Sequence, residues 1–375
     1  MPIDLTQEQQ MLKSSAREAL ARECPSTLVR EMEKDARGYP LSLWRKMAGL
    51  GWLGVSLPAK YGGADGSFAD MAVIVEEMGR VLVPGPYIQT VAMCAHAIAS
   101  HGSEAQRQRY LPAIAKGETT FAFALLESNA KFTPDAVTLE AVHSGHGYVL
   151  RGAKLFVPYA ASADCLLVAS RTRSSSDPAG GVTLFIVDRR SAGLTFTPLP
   201  TVGSDKQCRV AFDGVAAAEL LGPLHGGWPI VQELLLRGGV ARCAEMVGGG
   251  QRVLEMAVEY AKIRVQFGRP IGGFQAVQHH CANMALDLEA SRLAAWEAAQ
   301  KISRGEPYAA EASIAKAWVS EAYRRICATC HQVLGGIGFM EEHDMQLYFR
   351  RAKAAELFAG DGYHHRERLL QELGL

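Results

Sequence analysis

A segment in the carboxy-terminal half carries residue types suited to binding a phosphorylated cofactor. It runs from Tyr260 to Gln278 and reads YAKIRVQFGRPIGGFQAVQ. Arg264 and Gln266 end one predicted helix in this segment, and Gln275 begins the next. A guanidinium at such a corner can clamp a diphosphate through two parallel hydrogen bonds, and the helix amino terminus favours an anion. The alternative is a helix-terminal arginine that bonds the last carbonyls of its own helix.

A second segment, from Gln332 to Phe339, reads QVLGGIGF. Its paired glycines, Gly335 and Gly336, allow the backbone to approach another surface closely. A plain carboxy-terminal helix cap is the alternative for these glycines.

The strings typical of other catalytic sites are absent from the sequence. It has no G-x-S-x-G, no H-E-x-x-H, no phosphate-binding P-loop, and no G-x-G-x-x-G between a strand and a helix. Cys327 and Cys330 form a C-x-x-C, but no second pair stands at zinc-ribbon spacing and both lie in a helical pattern. We therefore predict packed reduced thiols and no metal site.

Composition narrows the class of protein. The 375 residues suffice for two or three domains. Lys plus Arg and Asp plus Glu number 39 each, and this zero net charge argues against nucleic acid or an anionic membrane as a partner. No segment reaches the ~18 uninterrupted apolar residues of a membrane span, and the amino terminus lacks a signal-peptide pattern. We expect a cytoplasmic protein.

Three compositional blocks must position these residues. Residues 1–119 read as helices separated by Gly-Pro-rich turns, residues 120–222 as short strands, and residues 223–375 again as helices. The first block is predicted to hold helices at Gln7–Arg22, Leu41–Gly51 and Asp70–Val81. Six apolar runs predict strands in the second block, typical of an antiparallel barrel or sandwich: TTFAFALLE, GYVLRGAKLFV, CLLVAS, VTLFIVD, LTFTPLP and CRVAFDGV.

The third block has narrow apolar stripes at steps of three and four residues, which predict three long helices in a bundle. Pro270 with Gly272 and Gly273 separates the first helix from the second. The turn-forming run 304–307 separates the second from the third.

Together these strings resemble the acyl-CoA dehydrogenase family. R-x-Q-F-G-x-P-I-x-x-F-Q-x-x-Q and Q-x-x-G-G-x-G-F stand at the family's separation. Three further strings are similar to family segments: the one from Gly51 to Gly63, the one from Gly152 to Val157, and the one from Leu220 to Trp228. The resemblance covers residues from about 5 to 370. It implies an amino-terminal helical domain, a central β-barrel and a carboxy-terminal four-helix bundle.

The resemblance also implies a cofactor, FAD. Carried over by position, Arg264 and Gln275 would hold its pyrophosphate and adenosine half, and Gln332 through Gly336 would meet the FAD of a mate subunit. Phe156 would lie against the isoalloxazine ring. The other cofactor-binding candidates implied in this way are Gln266, Phe267, Gly335, Val157, Pro158 and Glu127.

The activity implied is α,β-dehydrogenation of an acyl-CoA thioester. In the family a carboxylate takes the α-proton, the β-hydrogen leaves as hydride to the flavin, and an electron-transfer flavoprotein reoxidises the cofactor. The expected assembly is a dimer of dimers, which a sister dehydrogenase chain could join.

This chain departs from the family at the positions of the base and of a flavin contact. The family's usual base is the Glu of an aromatic-Glu-Gly-Thr turn, where this chain has Ala359. An alternative family position for the base is occupied by Gly238 and Gly239. The flavin-facing Thr of the family corresponds to Pro158, which offers neither a hydroxyl nor an N–H.

Nearby carboxylates are the possible replacements. Asp361 is the candidate base, with a helix-capping Asp as the alternative. Glu127 matches a family Glu near the substrate entrance.

Three hypotheses follow for the function. The chain is a dehydrogenase with a displaced base, or a non-catalytic subunit that completes a sister chain's FAD site, or a flavin protein of the same fold with other chemistry.

Overall fold

The computed structural model describes residues 5–145 and 147–375, and its first region is helical. Thr6, Ser67 and Ser103 each begin a helix with a capping box, in which the side chains at both ends of the first turn bond the backbone. The three helices predicted here are confirmed, and three more are present. The helices are α1 (Gln7–Glu23), α2 (Ser26–Lys34), α3 (Leu41–Gly49), α4 (Phe68–Arg80), α5 (His96–His101) and α6 (Glu104–Ala115), with a π-helical segment Ile88–Ala95 before α5.

The central region is an eight-stranded sheet. The strands are β1 (Phe121–Ala124), β2 (Glu140–Ser144), β3 (Gly147–Pro158), β4 (Cys165–Arg171), β5 (Val182–Asp188), β6 (Leu194–Leu199), β7 (Gln207–Ala217) and β8 (Glu219–Leu221). They pair in the order β6-β7-β3-β2-β4-β5-β8, with β1 parallel to β4. All six predicted strands are confirmed, whereas β2 and β8 were not predicted. The expected β region between two helical regions is thus confirmed as a central sheet.

The last region is again helical, as its apolar stripes predicted. The helices are α7 (Trp228–Ile263), α8 (Gln275–Arg304), α9 (Ala309–Leu334), α10 (Met345–Leu357) and α11 (Gly362–Glu372). A hairpin of two-residue strands, Val265–Gln266 and Arg269–Pro270, lies between α7 and α8. The breaks predicted before α8 and before α9 are confirmed.

Close packing of α4 on α7 joins the two helical regions. A Cβ added to Gly248 would lie 1.7 Å from the backbone oxygen of Glu76, and one added to Gly79 would lie 1.9 Å from that of Glu245. Only glycine permits this approach of backbones. One apolar core runs through both helical regions, and a second lies within the sheet.

Two further expectations concern the cysteines and the membrane. All eight cysteines are free, and Cys327 and Cys330 are buried in α9, which confirms packed thiols. Among the helices of residues 5–145 and 147–375, none is both long enough and apolar enough to cross a bilayer.

Candidate functional site

A cavity of about 670 Å³ lies where the sheet meets the two helical regions. Side chains from α4, β3, α7, α9 and α10 line it, together with the turn between α10 and α11. Much of its wall is apolar, including Val75, Met78, Ile88, Met93, Leu235 and Met246. Such a volume with mainly apolar walls is typical of a small-molecule or cofactor site.

Phe156 stands in the cavity wall because β3 is irregular at this point. The pairing of β3 with β7 shifts register between Lys154 and Val157, and Phe156 adopts a left-handed backbone conformation with φ of 52°. Its side chain is 46% exposed and lines the cavity with Pro158. Val157 lies in the core of the sheet instead, so its side chain does not face the cavity. The bulge presents an aromatic ring that a regular strand would have turned elsewhere.

The turn Phe358–Asp361 forms another part of the wall. Ala359, at the family's base position, is buried with φ of 56°, and Gly360 has φ of 102°. Two buried groups hold the carbonyls of this turn. Lys316 Nζ donates to Gly360 O at 2.8 Å, and His365 Nε2 lies 3.0 Å from Ala359 O.

Both buried groups have perturbed acidities. Burial lowers the pKa of Lys316 to about 8. Burial, together with the nearby Lys316 charge, lowers the pKa of His365 to about 3, so this imidazole is neutral at physiological pH. The hydrogen bonds from Lys316 and His365 hold the turn in place, although Ala359 has a positive φ that a non-glycine residue rarely adopts.

Asp361 lines the cavity and also begins α11. Its Oδ1 accepts a hydrogen bond from His364 N at 2.9 Å, which is the helix-capping arrangement that the sequence left open as its alternative. One oxygen of the Asp361 carboxylate is thus already hydrogen-bonded to the first turn of α11.

Glu127 has structural partners rather than a place in the cavity wall. It is 6% exposed and accepts from Lys154 Nζ at 2.7 Å, from Thr138 N at 2.9 Å and from Leu139 N at 3.0 Å. Burial by itself would raise the pKa of Glu127, but the charge and hydrogen bond of Lys154 lower it below the usual value. The pair ties the start of β2 to β3.

The predicted diphosphate residues lie on the surface, outside the cavity wall. Arg264, Gln266 and Gln275 are exposed, and Phe267 is 91% exposed. Arg264 N donates to Tyr260 O at 2.9 Å, but its guanidinium bonds no carbonyl or carboxylate within the described part of the chain. The side chain therefore does not cap its own helix.

The second glycine segment is also exposed. Gly335 ends α9 with φ of 62°, so a helix cap is present as the alternative expected. Among the residues that the structure describes, none lies within 4 Å of a Cβ added to Gly335 or Gly336, and the Gln332 side chain is exposed. Neither glycine nor Gln332 reaches the cavity. The predicted cofactor residues thus fall into two separate groups.

Six charged residues that line the cavity were missed from the sequence: Glu33, Lys131, Asp205, Arg242, Glu245 and Arg351. Arg242 bonds Glu245 one helical turn along α7, and its guanidinium lies over the Phe358 ring, 4.7 Å from the centroid. A signal existed, because Arg242 and Glu245 are the charged residues in the stretch 238–250 of otherwise small or apolar residues.

Sequence profiles of three domains match almost all of the chain. "Acyl-CoA dehydrogenase, N-terminal domain" matches residues 6–118, the middle domain residues 122–215 and the C-terminal domain residues 225–374. An "Acyl-CoA dehydrogenase" of Bacillus subtilis is 30% identical over 365 residues, 95% of each chain.

Solved structures agree with these profiles. Butyryl-CoA dehydrogenase from Megasphaera elsdenii has a TM-score of 0.93 at 28% identity, over all of both chains. A chain of the ChsE4-ChsE5 complex from Mycobacterium tuberculosis has a TM-score of 0.90 at 28% identity, over 100% of this chain and 99% of that one.

Proposed function

Because the chain belongs to the acyl-CoA dehydrogenase family, we propose that it takes part in FAD-dependent α,β-dehydrogenation of an acyl-CoA thioester. One observation carries the proposal. A single cavity brings the Phe156 ring and the turn Phe358–Asp361 together with an apolar compartment between the helical regions. These are the neighbours that a flavin ring and an acyl chain require side by side.

The described residues fit the cofactor, FAD. When bound, it accepts the hydride that leaves the β-carbon. In the cavity Phe156 offers a ring for stacking, and the apolar wall excludes water from the reacting carbons. Arg264 and Gln275 would hold the pyrophosphate and adenosine half, as would Gln266 and Phe267, because all four are exposed and the guanidinium has no partner in the described chain.

The separation of the two residue groups supports a pair of chains. Arg264 and the segment from Gln332 to Gly336 do not line the cavity, which supports the proposal that they meet a cofactor whose flavin ring sits in another subunit. Exposed Phe267, Ile337 and Phe339 add apolar surface around them. The larger proposed assembly is a dimer of dimers, with an electron-transfer flavoprotein as the redox partner.

A second candidate is the non-catalytic subunit of a hetero-oligomer. Ala359 cannot accept a proton, and Asp361 has one oxygen bound to the helix that it caps. The exposed adenosine-half residues remain able to complete a sister chain's FAD site. A similar structure is named as a complex of two different proteins, ChsE4-ChsE5.

The architecture proposed with this function has domains at 1–119, 120–222 and 223–375. Buried side chains of β1–β5 and β7 share one core, which supports a sheet rolled into a barrel around it. A four-helix bundle built on α7, α8 and α9 would carry the adenosine-half residues.

The test is the visible spectrum of the purified chain during anaerobic titration with acyl-CoA thioesters, alone and after co-expression with an adjacent dehydrogenase paralogue. Bleaching of the flavin band by the chain alone supports dehydrogenation by this chain. Bleaching that requires the paralogue supports the second candidate. If no thioester bleaches the flavin in either preparation, the proposed function is wrong.

A further inference from the structure

Two arginines that line the cavity have hydrogen-bond donors left unused. Nε of Arg351 and Nε of Arg242 are both buried, and neither has a hydrogen-bond partner among residues 5–145 and 147–375. A buried donor without an acceptor is costly and uncommon, so two in one cavity call for an explanation.

Arg351 also lacks a counter-charge. Its Nη1 donates to the backbone oxygen of Leu82 at 2.7 Å, and no carboxylate of the described chain lies within ion-pair distance. The preceding residue shows the contrast, since Arg350 Nη2 contacts both oxygens of Glu33 at 3.0 Å. Arg351 therefore brings a positive charge to the cavity wall without a protein anion beside it.

Arg242 is only partly satisfied. Its Nη1 donates to Glu245, which leaves its remaining donors for the cavity, and its guanidinium face covers Phe358. Phe358 precedes the turn at Ala359, so this arginine stands beside the proposed acyl site.

Both arginines line the same cavity, and Tyr159 lies in its wall as well. Burial raises the pKa of Tyr159 to about 12; the positive charges of Arg351 and Arg242 act against this rise, and the Asp205 carboxylate adds to it.

An alkyl chain cannot satisfy either arginine, because it offers no acceptor and would bury the charges further. A carboxylate supplies two acceptor oxygens and the missing negative charge, and it matches the fork of a guanidinium.

We propose that this cavity binds acyl-CoA thioesters whose acyl group carries a second carboxylate, held by Arg351 and Arg242. The inference rests on the proposed function for the thioester end of the ligand. Among the other carboxylates of the wall, Glu33 pairs with Arg350, Asp361 caps α11, and Asp205 accepts hydrogen bonds from Thr201 Oγ1 and Gln207 Nε2. Glu245 occupies only Nη1 of Arg242, so Nε and Nη2 of that arginine remain for a ligand.

Calorimetry on the FAD-loaded protein tests the inference by binding alone. The probes are matched pairs of equal chain length: butanoyl-CoA with succinyl-CoA, hexanoyl-CoA with adipoyl-CoA, and octanoyl-CoA with suberoyl-CoA. We expect the carboxylated member of at least one pair to bind roughly tenfold to a hundredfold more tightly, as charge-assisted hydrogen bonds would give. Arg351→Met and Arg242→Met should each remove most of this preference.

Two further variants serve as controls for the loss of charge and for the loss of an arginine outside the cavity. Arg351→Lys keeps the charge without the fork and should retain an intermediate preference. Arg252→Met changes another α7 arginine, whose partners are Glu255 and Glu259 outside the cavity, and should leave the preference intact. Thermal unfolding of each variant checks that it is folded.

Several results would overturn the inference. One is a wild-type protein that binds no carboxylated thioester more tightly than its methyl-terminated match. A second is Met variants that weaken the binding of free CoA as much as that of the thioesters, which would assign the arginines to CoA phosphates. A third is Met variants that lose FAD while the preference is unchanged, which would assign the arginines to the cofactor. A carboxylate preference without flavin bleaching either by the chain alone or with the paralogue would support this inference and contradict the proposed function, so the two can fail separately.

Discussion

Replacing His365 with glutamine should make the protein less sensitive to acid. His365 is 2% exposed, its Nε2 lies 3.0 Å from Ala359 O, and its Nδ1 is buried without a partner in the described chain. Burial, aided by the charge of Lys316, lowers its pKa from 6.5 to about 3. A glutamine amide can donate to the same carbonyl without gaining a proton in this range.

The sign and size of the change in unfolding free energy follow from the difference in pKa between the folded and unfolded states. The folded-state pKa lies below the unfolded-state value, so both states are neutral above about pH 6.5, and only the unfolded state gains a proton as the pH falls below it. The stability contributed by the neutral imidazole is therefore complete above that pH and is lost progressively towards pH 3. At about pH 5 the loss amounts to about 2 kcal/mol, from a difference of about 1.5 units at 1.36 kcal/mol each.

Urea unfolding followed by circular dichroism at about pH 7.5 and about pH 5 measures this effect. Between the two conditions the wild-type protein should lose about 2 kcal/mol more unfolding free energy than His365→Gln, since contributions of other groups cancel in the comparison. His143→Gln, at an exposed position of β2, is the matched control and should lose as much as the wild type. Equal losses in wild type and His365→Gln would refute the reasoning that this imidazole is held neutral.

Three predictions concern the cofactor and the base. The chain purified alone should hold less than one FAD, because Pro158 gives the isoalloxazine neither a hydroxyl nor an N–H; a full complement by absorbance would contradict this. Arg264→Ala should lower the FAD content and loosen the subunit pair on gel filtration, because a diphosphate clamp at an interface serves both; unchanged values in both assays would exclude that role. If the chain is catalytic alone, Asp361→Asn should cut turnover by ~10²-fold and spare thioester binding, because the amide oxygen still caps α11; turnover at the parent rate would place the base elsewhere.

Local sequence patterns determined most elements of the fold. Apolar stripes at steps of three and four residues placed α7, α8 and α9, and runs of alternating or continuous apolar residues placed six strands. Both signals are local, because each reports which face of one element is covered. β2 gave no such signal, since Ala141 is the one buried residue of the strand, and β8 has only three residues. Both strands owe their pairing to neighbours distant in sequence.

Family strings predicted the candidate site residues, but only the tertiary structure decided how they are grouped. The packing of helices and the bulge in β3 turn Phe156 into the cavity while leaving Arg264 on an outer surface. Glu127 meets Lys154 only because β3 passes beside it. Arg351 faces the cavity, without a carboxylate partner among the described residues, because of the way α10 packs. Which side chains meet across elements depends on how those elements pack together, and residue spacing within one segment does not contain that information.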